Sequence, residues 1–307
     1  MSWLAPLLNR YLRLTEKPYM RRVRDPDALR RSFRIKARVF FHPPWGTQQG
    51  VRTLGPVEAL RISPRRKTTD AVLLYVHGGG FVFGAPETHA AMVANLANRA
   101  GIEAILPRYP LAPEHPYPAA PDAVEACYHA LRDEHPDRAI IMGGDSAAGA
   151  LVLTVLARLL QKGAPLPAGV FALSPLTDLG YTGDSVRDNA AADVILPAER
   201  VHETAEMYLG TTAHSEVTDP DVSPLFADFT GAPPIWLTAS ATEILRDDSR
   251  RMADRLRAQG VPVTYLEEGD LPHVWPLFHN MLPEARRTLQ RLSDWIGDQA
   301  GSSTPTR

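Results

Sequence analysis

Apolar residues along this chain fall into short continuous runs, separated by longer stretches of helical periodicity. Val72-Leu73-Leu74-Tyr75-Val76 is apolar throughout, the pattern of a strand covered on both faces. Similar runs recur at residues 104–106, 139–142, 170–173, 235–239 and 263–266, and residues 57–62 alternate apolar and polar as an early strand would. Between the runs the periodicity predicts helices over 89–100, 123–132, 147–161, 248–259 and 284–295, with Gly101 and Gly163 as stops. Repeated strand–helix alternation predicts an α/β fold with a mainly parallel central sheet and helices on both faces.

One interval departs from this rhythm. Between Leu173 and Ile235 the chain is rich in proline and acidic residues and holds one helical run, 199–208. We read roughly 178–225 as an insertion. Together with the segment before the sheet, roughly 1–48, it would form a helical cap over the C-terminal edge of the sheet, where open α/β sheets bind ligands. The chain, 1–307, reads as one domain, and residues 301–307 as a frayed tail.

Charge sharpens the reading of the first segment. Residues 1–38 carry a net +8, so the remainder carries −10 within an overall −2. Trp3, Leu4, Leu7, Leu8, Tyr11, Leu12 and Leu14 recur at helical spacing, which predicts an amphipathic helix packed on the domain with its arginines in solvent; the alternative is a surface helix that also touches anionic membrane. The near-neutral total gives no reason to expect nucleic acid. Cys127 is the only cysteine, which excludes an internal disulfide. No apolar run is long enough to span a bilayer, and the first ten residues lack the pattern of a signal peptide, so a cytoplasmic protein is expected.

The chemistry centres on Met142-Gly143-Gly144-Asp145-Ser146-Ala147-Ala148-Gly149, which joins a predicted strand to a predicted helix. A serine on so tight a turn is pushed out of the sheet, and the following helix aims its N-terminal N–H groups at negative charge developing there. Ser146 therefore reads as a nucleophile, which needs a base and a group that orients the base. His273, just past the last strand, supplies the base. Glu243, the first carboxylate after the strand at 235–239, is the expected acid. Asp247 is the alternative, although Asp247 and Asp248 also suit the start of a helix.

Acyl transfer also needs donors for an oxyanion, and backbone N–H groups serve without reorganising. His77-Gly78-Gly79-Gly80-Phe81 follows a strand, and its glycines let the backbone approach a substrate oxygen. The N–H groups of Gly79, Gly80 and Ala147 are the expected oxyanion hole, with His77 organising the loop. There is no helical His pair at ligand spacing, no P-loop and no dinucleotide fingerprint, so neither a metal nor a cofactor is expected.

These motifs, with Tyr109-Pro110-Leu111-Ala112-Pro113-Glu114-His115 and Asp219-Pro220-Asp221-Val222-Ser223-Pro224, resemble the hormone-sensitive-lipase-like family of α/β-hydrolases over about residues 70–280. The resemblance implies carboxylic-ester hydrolysis through Ser146, Glu243 and His273 without a cofactor. It also implies an N-terminal cap and short acyl chains, because the cap narrows the pocket. Two positions at the site depart from the family pattern. Ala148 stands where glycine is usual, which predicts a slightly tighter turn, and Glu243 stands where aspartate is common, which changes reach but not role. A lactone hydrolase or aryl amidase would use the same machinery, whereas a non-catalytic ligand-binding protein on this fold is disfavoured by the presence of His273. The expected partner is a small-molecule ester, with a homodimer left open. Trp3, Phe81, Met207, Tyr208 and Trp275 are candidates for an apolar lining.

Overall fold

Five of the apolar runs become strands buried on both faces: β3 (Val72–Val76), β4 (Glu103–Pro107), β5 (Ile140–Asp145), β6 (Gly169–Leu173) and β7 (Ile235–Ser240). They form the centre of an eight-stranded sheet completed by β1 (Gln48–Leu54), β2 (Val57–Ser63) and β8 (Val263–Glu268). The strand order is β1-β2-β4-β3-β5-β6-β7-β8. β1, β2 and β4 pair antiparallel, and every other pairing is parallel. This computed structural model describes residues 2–210 and 216–301; the expected tail beyond 301 and residues 211–215 of the insertion lie outside them.

Parallel strands require crossovers, and the helices that make them cover both faces. α3 (Pro86–Ala100) and α9 (Pro283–Gly301) pack on one face. α4 (Ala119–Glu134), α5 (Ala147–Gln161) and α8 (Arg246–Ala258) pack on the other. α5 is the most apolar of these, buried almost throughout from Ala147 to Leu156, because it lies against the middle of the sheet. The expected α/β-hydrolase architecture is the one observed.

The two ends of the sheet differ from expectation. β1 went unforeseen because it is an edge strand whose residues, Gln48-Gln49-Gly50-Val51-Arg52-Thr53-Leu54, are exposed apart from Arg52 and Leu54 and carry no apolar run. The first 40 residues form two helices rather than one. α1 (Leu4–Arg22) is followed by α2 (Pro26–Phe40), which starts where Asp25 accepts hydrogen bonds from the N–H groups of Asp27 and Ala28 and Pro26 takes the first helical position. In the 178–225 interval the described elements are a short helix α6 (Ser185–Asp188), α7 (Val201–Leu209) and 3-10 turns at Ala198–Arg200 and Pro224–Phe226.

Several side chains tie these outer elements to the sheet. Arg30 of α2 donates to the carbonyls of Val82 and Ala112 and to both carboxylate oxygens of Glu114. Lys17 of α1, buried, donates to the carbonyls of Ala190 and Asp193 at 2.6 Å each. Arg158 of α5 grips Asp221 through two hydrogen bonds, which fixes the segment entering Pro224–Phe226. Among the described residues, no helix is long and apolar enough to cross a membrane.

Candidate active site

Ser146 lies between the last residue of β5 and the first of α5, with φ 53° and ψ −127°, a conformation that non-glycine residues seldom adopt. The turn is over-determined by its surroundings. Its N–H donates to the carbonyl of Leu173 at 2.9 Å, and its carbonyl accepts from Gly149 and Leu176. Ala148 is fully buried in α5, and a close approach falls one residue later. A Cβ on Gly149 would lie 2.6 Å from Cβ of Pro175, so glycine is required there and alanine is accommodated at 148.

The structure brings together the three side chains singled out from the sequence. Ser146 Oγ lies 2.9 Å from Nε2 of His273, and Nδ1 of His273 lies 2.9 Å from Oε2 of Glu243. His273 sits in the loop after β8, and Glu243 in the turn between β7 and α8. Both are nearly inaccessible to solvent, whereas Ser146 is partly exposed. Burial acts against a charged imidazole, but the hydrogen bond and charge of Glu243 outweigh it and raise the His273 pKa above its ordinary value. Burial raises the Glu243 pKa, with His273 opposing the rise. Oε1 of Glu243 has no hydrogen-bond partner among the described residues.

Neither Asp247, the alternative acid, nor its neighbour Asp248 is bonded to His273. Asp247 accepts from the N–H of Ser185 and from Arg246. Asp248 accepts from the N–H groups of Thr177 and Asp178. Both occupy the first turn of α8 and join it to the segment after β6.

Gly79 and Gly80 lie beside Ser146 in the loop after β3. Gly79 has φ 126°, and a Cβ there would lie 2.1 Å from the carbonyl oxygen of Phe83, which excludes any other residue without movement of the loop. The N–H groups of Gly79 and Gly80 have no acceptor among the described residues. Ala147 is the first residue of α5, where an N–H has no intrahelical acceptor. His77 is buried, donates from Nδ1 to Gly78 O and stacks on Tyr109. Burial, reinforced by nearby His89, pulls its pKa down to about 3, so it is a neutral strut at physiological pH.

The sequence reading assigned no role to several supporting residues. Asp145 accepts from Tyr75 Oη at 2.6 Å, from the N–H of Gly78 at 2.9 Å, and lies 3.3 Å from Nε2 of His89. Although burial would raise its pKa, His89, Tyr75 and Gly78 hold it below the ordinary value. Asn189 donates to the carbonyls of Ala241 and Glu243, and Asp193 accepts from the N–H of Ile244, so the turn carrying Glu243 is held on both sides. A carboxylate at the end of an apolar strand was the one visible sign for Asp145; the other two depend on how the insertion folds back.

A cavity of about 540 Å³ opens over Ser146 and His273. Its walls are largely apolar and come mostly from α1, α2 and the insertion, among them Leu8, Phe33, Ile195 and Leu196, with Phe83, Met281 and Leu282 added from elsewhere in the chain. Of the five lining candidates from the sequence only Met207 is part of it. Trp3 is exposed, Trp275 is fully buried with its indole N–H on Thr288, and Phe81 stacks on Tyr208 within the core. Residue type alone does not say whether an apolar side chain meets a cavity or another side chain.

Known proteins resemble this chain along most of its length. A family model described as alpha/beta hydrolase fold matches residues 73–277. An esterase of Acinetobacter venetianus is 34% identical over 271 residues, covering 88% of each chain. An acetyl-hydrolase of Streptomyces hygroscopicus is 34% identical over 241 residues, covering 78% of this chain and 79% of its own. Among solved structures, an esterase from the bacterial hormone-sensitive lipase family superposes with TM-score 0.90 at 33% identity, covering 98% of this chain and 99% of that one. The esterase EstE5 gives TM-score 0.92 at 31% identity, covering 98% and 100%. The chain belongs to the α/β-hydrolase family, among its hormone-sensitive-lipase-like esterases.

Proposed function

We propose that this chain is a serine carboxylesterase that hydrolyses short-chain acyl esters through an acyl-enzyme. The observation that carries the reading is the hydrogen-bonded line from Glu243 through His273 to Ser146, 2.9 Å at each link, ending at an apolar cavity. Ser146 Oγ attacks the ester carbonyl carbon while Nε2 of His273 takes its proton. The carbonyl oxygen gains negative charge, which the N–H groups of Gly79, Gly80 and Ala147 receive. Collapse of this intermediate breaks the bond to the alcohol, which leaves with the proton from Nε2. Water then gives a proton to Nε2 and attacks the acyl group, and the second collapse releases the acid and returns the proton to Ser146. Glu243 accepts from Nδ1–H throughout, holding one tautomer and stabilising the imidazolium.

Residues 1–48 and 178–225 act in this reading as a cap that supplies most of the cavity wall. The acetyl-hydrolase among the relatives, and the EstE5 crystal soaked with p-nitrophenyl butyrate, support small acyl groups as substrates. The test is turnover of p-nitrophenyl acetate, butyrate and octanoate by the wild type and by Ser146→Ala. The wild type is expected to prefer the two shorter esters and the variant to be inert. Retention of most of the rate by Ser146→Ala would overturn the assignment.

A further inference from the structure

The outward face of the α1–α2 hairpin is both apolar and cationic, and it surrounds the mouth of the cavity. The two helices run antiparallel, joined by Lys36 to Glu16, Tyr19 Oη to the carbonyl of Ala28, and the Tyr11 and Phe40 rings 6.3 Å apart. Trp3, which caps α1, and Leu7, Tyr11 and Leu14 within it follow one another at intervals of four, four and three residues, which puts them on one helical face. Trp3 is 74% exposed and Leu14 69%. On α2, Ile35 and Val39 are exposed one turn apart. Leu7, Tyr11 and Phe40 are exposed as well and line the cavity, so the apolar face runs into its rim.

Arginines punctuate this face. Arg10 falls between Leu7 and Leu14 on α1, and Arg34 and Arg38 flank Ile35 and Val39 on α2. These three and Arg22 are exposed and make no ion pair among the described residues, unlike Arg21, which pairs with Glu199, and Arg30, which pairs with Glu114. Residues 1–38 carry +8 while the rest of the chain carries −10, so this end of the molecule is oriented towards negative charge by the whole protein. Exposed aromatic and aliphatic side chains interleaved with unpaired arginines are the composition of a helix that lies in a lipid headgroup layer.

We propose that the α1–α2 face docks on an anionic lipid surface and presents the cavity mouth to it. Apolar residues enter the acyl boundary, and the arginines meet lipid phosphates. A second copy of the chain fits this face poorly, because a two-fold contact would set like charge against like. The docking is separable from ester hydrolysis, since Trp3, Leu14, Arg10, Arg34 and Arg38 lie outside the cavity.

The test is co-sedimentation of the full chain with vesicles of phosphatidylcholine alone or mixed with phosphatidylglycerol, at low and high salt. The wild type is expected to bind the mixed vesicles, to bind neutral ones far more weakly, and to be released by salt. Arg10→Glu/Arg34→Glu/Arg38→Glu is expected to lower partitioning on the order of 100-fold. Trp3→Ser/Leu14→Ser is expected to weaken binding while leaving the preference for anionic lipid, and thermal melts show that each variant is folded. Absence of binding to the mixed vesicles, or binding that both folded variants retain, would overturn the proposal. So would a dimer in sedimentation equilibrium that Trp3→Ser/Leu14→Ser dissociates, since the face would then be an interface between copies.

Discussion

The backbone N–H of Gly78 donates to Asp145 Oδ1 at 2.9 Å, so the glycine loop and the turn that carries Ser146 are held by one buried carboxylate. The same oxygen accepts from Tyr75 Oη, and the other faces His89. Ser146 and the proposed donors Gly79 and Gly80 lie on different crossovers of the sheet, and their relative position depends on this link. In the proposed mechanism Asp145 is a positioning residue, acting through those loops.

Asp145→Ala would leave the Tyr75 hydroxyl and the Gly78 N–H buried without their acceptor, which costs about 2–5 kcal/mol of stability. Asp145→Asn keeps an acceptor at the same place and should remain folded. We predict that it lowers kcat about 10–100-fold with a smaller change in KM, as expected when the loop drifts from the position it needs in the transition state. An Asn variant with unchanged kcat would mean the link is only structural.

Glu243 and Asp247 make opposite predictions. Glu243→Gln should reduce kcat/KM about 10³-fold or more, because the imidazole loses its tautomer control and the partner of its charged form. The acid limb of the pH profile should also move. His273 must be neutral to act as base, so activity falls as pH drops through its pKa, and Glu243 holds that pKa above the ordinary value. Removing the carboxylate charge lets burial pull the pKa down, which shifts the limb to lower pH. Asp247→Asn should leave both the rate, within about threefold, and the limb unchanged. A greater loss at Asp247 than at Glu243 would reverse the assignment.

Gly79→Ala probes the oxyanion loop. The added methyl would meet Phe83 O at 2.1 Å, so the loop that carries the proposed donors must shift. Loss of one such donor costs about 10²–10³ in rate, leaving residual catalysis by the rest of the site. Steady-state kinetics should show the loss mainly in kcat, with Ser146 still reactive towards a fluorophosphonate.

Asp248 gives a pH-dependent stability. Burial pushes its pKa up to about 7, against 3.8 for an ordinary aspartate, although the N–H groups of Thr177 and Asp178 oppose the rise. The folded protein therefore holds the proton more tightly than the unfolded one. This contribution is fully present below about pH 4 and is lost as pH rises through about 7. Asp248→Asn keeps an acceptor for both N–H groups without burying a charge. It should be more stable than the wild type at pH 8, by on the order of 1–3 kcal/mol, with the advantage gone near pH 4. Thermal melts at the two pH values measure this, and a variant less stable at pH 8 contradicts it.

The parts legible in the sequence were those written into continuous local patterns. β3 to β7 are buried throughout and largely apolar because both faces are covered, and the helices between them end at glycines or at changes of period. Ser146, Glu243 and His273 could be singled out because each follows a strand whose C-terminal end faces the same edge. β1 was not legible, since an exposed edge strand is free to be polar. Nor were Asn189 and Asp193, whose bonds to the Glu243 turn exist only once the insertion has folded against it. The cavity wall was not legible for the same reason. Trp275 and Phe81 are apolar enough to line it, but the packing of α9 and α7 puts them in the core.

The most direct test of the central claim is mass spectrometry of the enzyme quenched during turnover of p-nitrophenyl acetate, followed by peptide mapping. The account predicts an acetyl group on Ser146, accumulating more in a variant whose deacylation is slowed, and absent from Ser146→Ala. An acetyl group confined to another residue, or turnover by Ser146→Ala at the wild-type rate, would contradict it.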